Sequence, residues 1–251
     1  MISVTILTKN SAEYLCEVLT ALRNFDEVLI YDNGSTDNSA EIARQFSNVK
    51  IHQGLFFGFG PTHNHASGLA KNDWILSVDA DEVVSPQLAS EILAAALDEN
   101  CVYSFPRDNY FNGKWIKWCG WYPDRVVRLY NRNKTRFTDA HVHESIIDAH
   151  MKQVYLQSAL RHYSYRSISD FLAKMQSYSH LFASQYQGKK KSSPLKAVSH
   201  AFFAFFKSYI LKRGFLGGYE GFVISSYNAH TAFYKYLKLY EANRKAKDST
   251  R

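Results

Sequence analysis

The sequence predicts an α/β fold in which a mostly parallel β-sheet is flanked by helices and followed by a helical C-terminal extension. Short apolar runs alternate with helical patterns over the first 80 residues, and polar residues collect where these runs end. The last third carries long helical patterns rich in aromatic residues and lysine. Strands that alternate with helices form βαβ units with right-handed crossovers, and such units build a mostly parallel sheet.

Four strands are predicted near the N-terminus, each as a short apolar run, at 2–8, 27–31, 49–52 and 74–78. Helical patterns fill the intervals at about 11–22, 35–43 and 62–71, and Ser11 is a suitable N-cap for the first of them. A Gly-rich loop at 58–61 precedes the third helix. A later strand near 154–156 is followed by helical patterns at about 171–182, 195–211 and 219–240. These elements suggest an α/β domain at 1–165 and a helical region at 166–251.

Composition narrows the class of protein. The chain has 251 residues, 46% of them hydrophobic, which is enough for one large domain with a full core. Its three cysteines, Cys16, Cys101 and Cys119, lie far apart and are interpreted as thiols rather than a zinc site or a disulfide framework. That usage suits a reducing compartment. We expect a cytoplasmic protein, because Met1 is followed directly by a strand and not by a signal-peptide pattern.

Two carboxylates, Asp79 and Asp81, come where the apolar run 74–78 ends. Alternate residues of an extended strand end point the same way, so both carboxylates can address one target. Paired carboxylates suit a divalent ion that also holds phosphate oxygens, as in an enzyme that handles a sugar nucleotide. The alternative is an ordinary solvated turn.

Two other polar residues end earlier strands, since Thr8 closes the first apolar run and Asp32 closes the second. The carboxyl ends of parallel strands meet at one edge of a sheet, where open α/β sheets bind their ligands. We therefore expect Thr8, Asp32 and Asp79 to converge on one edge.

Four motifs, in order and spacing, carry a resemblance to a known family: VTILTKN at 4–10, DNGSTD at 32–37, GFGP at 58–61 with Asn64, and DADE at 79–82. Residues 2–147 resemble an inverting family 2 glycosyltransferase of the GT-A fold. A closer resemblance is to the lipopolysaccharide inner-core β-glucosyltransferases that act on heptose. It rests on the aromatic, basic tail and on three segments: DWILSVDADE at 73–82, WYPD at 121–124 and HVHE at 141–144.

The resemblance implies a binding site for a UDP-sugar donor. Asp32 corresponds to the family aspartate that accepts a hydrogen bond from the uracil ring, which is chemically sensible because a carboxylate only accepts and uracil N3 donates. The alternative for Asp32 is a turn residue that hydrogen-bonds its own backbone. Thr8 and Asn10 would line the pocket for base and ribose, Asn64 belongs to the same donor site, and Asp79 would face the ribose and the diphosphate.

The resemblance also implies a divalent metal, Mg2+ or Mn2+. Asp81 would bind the metal directly, with Asp79 beside it. His162 has the position of the late histidine that many GT-A enzymes add to the metal ligands, and its alternative is a structural histidine. Glu82 adjoins this site and would orient it. The metal would stabilise the departing nucleoside diphosphate.

A single displacement needs a base that takes the proton from the acceptor hydroxyl. Glu144 is the first candidate and Asp124 the second. For either carboxylate the alternative is an ion pair with Arg125, Arg128 or Arg136.

Aromatic and basic residues are concentrated between 107 and 128. Rings stack on sugar faces and cations meet phosphates, so this segment fits an anionic glycan acceptor. The alternative is a packed connector with its tryptophans in a core and its arginines paired with carboxylates. The residues predicted to contact the acceptor are Trp115, Trp118, Trp121, Arg125 and Arg128.

The C-terminal region carries a basic hinge at 188–194 and an aromatic amphipathic helix at 195–211. Such a helix, flanked by lysines, fits the surface of an anionic membrane leaflet. Packing on the catalytic domain or on a second subunit, giving a homo-oligomer through these helices, is an equal alternative. We expect a peripheral protein on the cytoplasmic face of the inner membrane.

Together these features predict inverting transfer of a hexose, with glucose favoured, from a UDP-sugar to a lipid-anchored inner-core heptose. One alternative is a transferase of the same fold with another donor or acceptor, such as capsule, another glycan or a protein. Another is a non-catalytic binding module at the membrane. A nucleic-acid partner is not expected, because the basic residues accompany apolar helices and no nucleic-acid motif is recognised.

Overall fold

The computed structural model describes residues 1–141 and 144–248. Val142 and His143 of the predicted HVHE motif lie outside the described residues. The chain divides into two compact units, the first formed by 1–108 and 124–162, and the second by 109–123 and the chain from Tyr163 onward. This division assigns 109–123 to the same unit as the C-terminal helices, whereas the catalytic domain at 1–165 and the docking region at 166–251 stay predictions.

The first half of the chain follows the predicted alternation of strands and helices. Its elements in chain order are β1 (Ile2–Thr8), α1 (Ala12–Ala21), β2 (Glu27–Asp32), α2 (Ser39–Ala43), β3 (Val49–Gln53), α3 (Phe59–Leu69), β4 (Trp74–Asp79), β5 (Glu82–Val84) and α4 (Pro86–Ala94). The second half adds β6 (Cys101–Phe111), β7 (Lys114–Trp115), β8 (Arg125–Asn131), β9 (Lys152–Tyr155), β10 (Leu160–Tyr165), α5 (Ile168–Tyr186), α6 (Pro194–Phe206) and α7 (Gly218–Asp248). A π-helical turn at Lys207–Leu211 and a 3-10 turn at Gly214–Gly217 join α6 to α7.

The sheet of the first unit is mixed. Strands β3, β2, β1 and β4 lie side by side and run parallel, and β8 then pairs antiparallel with β4, and β6 antiparallel with β8. Within the same unit, β5 pairs antiparallel with β10. The four predicted strands are therefore the parallel half of the sheet. The predicted α/β class, with flanking helices and a helical C-terminal extension, is confirmed.

Buried apolar side chains explain why β1, β2 and β4 form the centre of the sheet. All of β2 is buried, and β1 and β4 expose only parts of one or two residues each. Strands covered on both faces have near-continuous apolar sequences, as these do. Leu29, Ile75 and Tyr130 belong to the core cluster beneath this region.

A buried polar network also ties β1, β2 and the start of β4 together. The Glu27 carboxylate accepts hydrogen bonds from Ser3 Oγ at 2.6 Å, Lys71 N at 2.6 Å and Lys50 Nζ at 2.9 Å. Asn72 donates to Ser3 Oγ from both its backbone and its side chain. Burial alone would raise the pKa of Glu27, but the three hydrogen bonds outweigh burial and lower the pKa. The sequence analysis did not anticipate this network.

The second unit is a helical assembly around the long helix α7, against which α5 and α6 both pack. Its core is a cluster of Phe111, Ile116, Cys119, Phe171 and Ile224. Helix α5 begins with a capping box formed by Ser167 and Asp170. Among the described residues, no helix has the combined length and apolar character that crossing a bilayer requires.

Candidate functional site

The first unit gathers the predicted donor-site residues at the carboxyl ends of its parallel strands. Thr8, at the end of β1, pairs in register with Asp32 at the end of β2. On the other side of β1, Leu7 pairs with Asp79 at the end of β4. Thr8, Asp32 and Asp79 therefore lie on three adjacent strands, at the edge where such sheets bind ligands.

The loops after β1 and β2 hold each other. Asp32 Oδ1 accepts hydrogen bonds from Ser35 N at 3.0 Å and Ser35 Oγ at 2.6 Å. Asn10, with φ of +54°, donates from its backbone to Ser35 Oγ at 2.9 Å and accepts from Thr36 N at 2.8 Å. These bonds brace the DNGSTD segment. Helix α2 begins at Ser39, later than the helical pattern predicted from about residue 35.

Two polar atoms at this edge have no protein partner within the described part of the chain. One oxygen of Asp32 makes the turn expected from the alternative interpretation, while its Oδ2 makes no hydrogen bond to residues 1–141 or 144–248. Thr8 Oγ1 is buried and lacks a partner in the same ranges. A buried hydroxyl without a partner costs free energy, so its presence at a strand end points to a ligand that supplies one.

A buried arginine binds the Asp79 carboxylate. Arg128 Nη2, from β8, lies 2.5 Å from Asp79 Oδ2 and 3.0 Å from Glu82 Oε1. Glu82 is fully buried, and its Oε2 accepts a hydrogen bond from Asp79 N at 3.0 Å. Glu82 therefore fixes both the backbone of Asp79 and the arginine that binds its side chain.

A second arginine extends this network. Arg107 Nη1 donates to Glu82 Oε1 at 3.1 Å, and Arg107 Nε donates to Asp124 Oδ2 at 2.8 Å. The charges alternate in sign from Asp79 through Arg128, Glu82 and Arg107 to Asp124, so each charge has an opposite neighbour. We call these five residues the charge chain. The sequence analysis did not single out Arg107, although a charged residue directly after the mostly apolar run 101–106 was a usable signal.

Opposite charges decide how this region ionises. Burial alone would raise the pKa of Asp79, but the positive charge of Arg128, with smaller contributions from His63 and His162, lowers it. Burial alone would lower the pKa of Arg128, and the carboxylates of Asp79 and Glu82 raise it. The opposite charges of Asp79 and Arg128 thus favour the charged form of both side chains.

Next to the network lies His63, a buried histidine on α3. Burial, aided by the charge of Arg128 and opposed by that of Asp79, lowers the pKa of His63 to about 4. The His63 ring stacks on Phe137 with ring centres 4.4 Å apart, and its Nδ1 lies 3.3 Å from Ser77 Oγ. This histidine is neutral at physiological pH and packs beneath the edge.

Asp81 and His162, both predicted metal ligands, lie next to each other. The pairing of β5 with β10 sets His162 opposite Glu82, and His162 Nε2 lies 3.7 Å from Asp81 Oδ2. The chain turns at 80–81, so the strand alternation that was expected to align Asp79 with Asp81 does not extend past Asp79. The neighbours of the two carboxylates differ, with Arg128 beside Asp79 and His162 beside Asp81.

The donor atoms of Asp81 and His162 fit a divalent ion whose remaining ligands come from a substrate. A carboxylate oxygen and an imidazole nitrogen are both ordinary ligands of divalent ions, and atoms 3.7 Å apart are close enough to bind one cation together. Within the described residues, no group of three or more His, Cys, Asp or Glu side chains is arranged to hold a metal by itself. Mg2+ sites with few protein ligands are ordinarily completed by water and substrate phosphates.

The glycine-rich loop packs against the segment that leads to Glu144. Gly60 N donates to Ala140 O at 3.0 Å, and a Cβ on Gly60 would lie 1.9 Å from Thr138 O, so no larger residue fits there. The Asn64 amide binds Phe137 in both directions, through Phe137 N at 2.8 Å and Phe137 O at 3.0 Å. Asn64 thus anchors the loop, and its predicted contact with the donor stays a prediction.

Residues 3–164 match the family model described as Glycosyl transferase family 2. The chain belongs to this family. Its sheet with flanking helices is the GT-A fold of a family 2 glycosyltransferase, followed by the predicted helical extension.

Two named sequence relatives agree with this assignment, and one solved structure is also similar to the chain. An uncharacterized glycosyltransferase of Rickettsia felis is 31% identical over 98% of this chain and 92% of its own length. The lipopolysaccharide core biosynthesis glycosyltransferase LpsC of Rhizobium meliloti is 25% identical over 96% of this chain and 92% of its own length. The solved structure of S. aureus TarS 1-349 in complex with UDP-GlcNAc covers 100% of this chain and 91% of that chain, with 17% identity and a TM-score of 0.44.

Of the two candidate bases in this family 2 glycosyltransferase, Asp124 belongs to the charge chain through Arg107. The expected ion-pair partners Arg125 and Arg136 have other contacts: Arg125 donates to the carbonyls of Ser104 and Leu156, and Arg136 binds Asp139. Glu144, half-buried, follows the undescribed pair 142–143. The choice between the two carboxylates stays a prediction.

In the second unit of this glycosyltransferase, the predicted acceptor tryptophans are half-buried. Trp118 and Trp121 pack against the core cluster of that unit, as the packed-connector alternative anticipates. Trp115 carries Lys117 Nζ 4.0 Å above its ring, and its buried Nε1 has no partner among the described residues. The acceptor contacts of Trp115, Trp118, Trp121, Arg125 and Arg128 stay predictions.

Proposed function

We propose that this family 2 glycosyltransferase moves a hexose, with glucose favoured, from a UDP-sugar to a heptose of the lipopolysaccharide inner core, with inversion. The observation that carries the donor half is the convergence of Thr8, Asp32 and Asp79 at one sheet edge, with unpartnered acceptor atoms on Asp32 and Thr8. The similarity to a lipopolysaccharide core glycosyltransferase supports the acceptor half.

The donor's uracil ring would bind Asp32. Asp32 Oδ2 would accept a hydrogen bond from uracil N3, while Asp32 Oδ1 keeps the bonds from Ser35 that set the carboxylate's orientation. Thr8 pairs with Asp32 in the sheet register, and its buried hydroxyl has no partner among the described residues. A ribose or base oxygen would accept the hydrogen bond that this hydroxyl can donate.

A divalent metal would be held by Asp81 and His162, with the diphosphate supplying further oxygens. When bound, it stabilises negative charge on the departing nucleoside diphosphate. Arg128 keeps Asp79 ionised and fixed, so Asp79 can face the donor without a change in its protonation. We propose Mg2+ or Mn2+ as this metal, and titration with each ion distinguishes between them.

In the reaction, the acceptor hydroxyl oxygen forms a bond to the anomeric carbon of the sugar. The bond between that carbon and the diphosphate oxygen breaks, and the hydroxyl proton passes to a carboxylate. We assign that carboxylate to Glu144 from its position in the chain, with Asp124, which Arg107 binds, as the second candidate. Attack opposite the leaving group converts an α-linked donor into a β-linked product.

The acceptor heptose is lipid-anchored, so the protein would work on the cytoplasmic face of the inner membrane. A protein acting there needs a surface that meets the bilayer, and the second unit has exposed aromatic side chains next to lysines.

Isothermal titration tests the donor proposal, with UDP, UDP-glucose, UDP-galactose and UDP-N-acetylglucosamine, each with and without Mn2+. We expect UDP-glucose to bind tightest and only with metal, and Asp32→Asn to weaken every uridine ligand because an amide offers N3 a poorer acceptor. Tighter binding of another UDP-sugar would favour the alternative donor. A complete lack of uridine nucleotide binding would refute the donor site.

The acceptor is tested separately, by transfer from UDP-glucose to truncated lipopolysaccharide that ends in heptose. A β-linked glucose on heptose, identified by NMR, is the expected product. Transfer to capsule precursors or peptides with none to heptose would replace the proposed acceptor while leaving the donor proposal intact.

A further inference from the structure

Helix α6 in the second unit has its large apolar side chains on the outside. Its buried positions hold small residues, since Ala197 and, two residues past the helix, Ser208 are buried. Leu195 is 79% exposed, Phe202 73% and Phe203 58%. A helix of a soluble domain ordinarily buries its apolar stripe and exposes its polar one, so this arrangement is inverted.

The exposed side chains lie along one side of the helix. Leu195, Val198, Phe202 and Phe206 follow each other at spacings of three and four residues, which places them on one face. The same kind of exposure continues after α6 at Ile210, Leu211, Phe215, Leu216, Tyr219 and Phe222. We call these ten residues, together with Phe203, the apolar surface.

Ring contacts join the parts of this surface. Phe205 and Tyr209 stack with centres 5.2 Å apart, and Tyr209 contacts Phe215 at 6.4 Å and Phe222 at 6.3 Å. The end of α6, the two turns and the beginning of α7 are thus continuous in space. Isolated exposed apolar residues are ordinary, but a contiguous patch marks an interaction site.

Specific bonds prevent α6 from rotating to bury its phenylalanines. Ser208 Oγ accepts hydrogen bonds from Ser225 Oγ at 3.0 Å and from Asn228 Nδ2 at 3.1 Å, both on α7. A Cβ on Gly221 would lie 1.9 Å from Gly214 O, so the turn before α7 can only pack there because glycine is present. The fold therefore holds the apolar surface toward solvent.

Charge identifies the partner. Residues 171–219 contain no Asp or Glu, whereas they contain Lys174, Lys189, Lys190, Lys191, Lys196, Lys207, Lys212 and Arg213. Lys207, Lys212 and Arg213 are exposed between members of the apolar surface. Glu220, between Tyr219 and Phe222, is buried and paired with Lys114. An apolar face with exposed cations between its members matches a bilayer whose headgroups are negative. A second copy of the chain is a poorer match, because pairing would bring two positively charged surfaces together.

We propose that the apolar surface inserts into the interfacial region of an anionic phospholipid bilayer, with α6 lying along the membrane plane. At about 1.5 Å per residue, the 13 residues of α6 extend about 20 Å, which suits a helix lying on a membrane. Phe202 and Phe203 enter the acyl boundary, and the lysines meet the lipid phosphates. This inference stands on exposure and charge and does not depend on the identity of the donor sugar.

Vesicle co-sedimentation of the full chain tests the proposal in the absence of any nucleotide. Vesicles of phosphatidylcholine are compared with vesicles of phosphatidylcholine and phosphatidylglycerol. We expect binding to the anionic vesicles at least about tenfold above the neutral ones, falling as salt is raised. The double variant Phe202→Ser, Phe203→Ser should reduce the partition coefficient by about a hundredfold, because two large apolar side chains are lost from the buried face.

A charge-reversal variant and a matched control separate the contribution of the lysines from that of the apolar side chains. Lys207→Glu with Lys212→Glu should abolish the preference for anionic vesicles while it leaves the weak neutral binding unchanged. The matched control is Leu69→Ser with Leu93→Ser, which removes two exposed leucines from helices of the first unit and should leave vesicle binding unchanged. Circular dichroism of each variant verifies that the fold is retained.

The proposal is overturned if the chain ignores anionic vesicles, or if the phenylalanine variant binds them as the wild type does. It is also overturned if sedimentation velocity shows a dimer that the phenylalanine variant dissolves while neither protein binds vesicles, since the surface would then serve a second copy. Vesicle binding without any UDP-sugar binding would refute the donor proposal alone.

Discussion

Replacement of Glu82 by glutamine tests whether the charge chain holds the site together. The fully buried Glu82 accepts three hydrogen bonds, from Arg107 Nη1, Arg128 Nη2 and Asp79 N, at 3.0 to 3.1 Å. Glu82→Gln keeps the shape but removes the charge. Whichever way the amide turns, its NH2 group faces either the two guanidinium groups or the backbone N–H of Asp79.

The magnitude follows from the bonds that are lost. A hydrogen bond to a charged group contributes about 1.5–3 kcal/mol, and breaking a buried ion pair by removing one partner costs about 3–5 kcal/mol. Asp79 and Asp124 still neutralise the two arginines in part. We therefore expect a loss of about 3–4 kcal/mol in the free energy of unfolding, which corresponds to roughly a 10 °C fall in Tm for a chain of this size.

Urea denaturation and calorimetry of Glu82→Gln measure this loss. The matched control is Glu99→Gln, the same chemical change at an exposed ion pair with Lys134, which should cost less than about 1 kcal/mol. If both variants lose the same small amount, the charge chain contributes nothing to stability and the reasoning is refuted.

Three other substitutions follow from the site and the core. Asp81→Ala should abolish turnover and the metal dependence of UDP binding, as measured by titration, and unchanged turnover would remove Asp81 from the metal site. Glu144→Gln should retain UDP affinity but lower kcat by about a hundredfold or more; a normal rate would shift the base to Asp124. Glu27→Gln should flatten the dependence of stability on pH: the lowered pKa of Glu27 means that its contribution is complete above the unfolded pKa of about 4.3 and is lost as pH falls through the folded value. Urea midpoints measured from neutral to acidic pH verify this, and an equally steep loss in the variant would contradict it.

The parallel half of the sheet was predictable because its strands are buried on both faces. Nearly continuous apolar runs at 2–8, 27–31 and 74–78 correspond to β1, β2 and β4 within one residue. The edge where Thr8, Asp32 and Asp79 meet follows from that topology alone. The antiparallel strands β6 and β8 were not anticipated, because they mix apolar and charged residues, and the charges make sense only after they pair with distant partners.

Ion pairs over long sequence separations show the same limit. Glu82 and Arg107 lie 25 residues apart, and Arg128 is 46 residues from Glu82. Several arginines between 107 and 136 were equally eligible partners for Asp124. The sequence could therefore predict that Asp124 pairs with an arginine, but not which arginine. Local reasoning also failed at Asp81, where a turn at 80–81 ends the strand alternation that it assumed.

The C-terminal helix α6 shows why an amphipathic pattern alone does not identify a docking surface. The sequence shows that Leu195, Phe202 and Phe206 share one face, but either face of such a helix could meet the protein. The bonds of Ser208 to α7 decide the orientation, since they hold the small residues inward and leave the aromatic ones outside. The structure therefore distinguishes the two alternatives, packing on the protein and binding to a membrane. The side with small residues already packs against α7, and the aromatic side is the one still exposed.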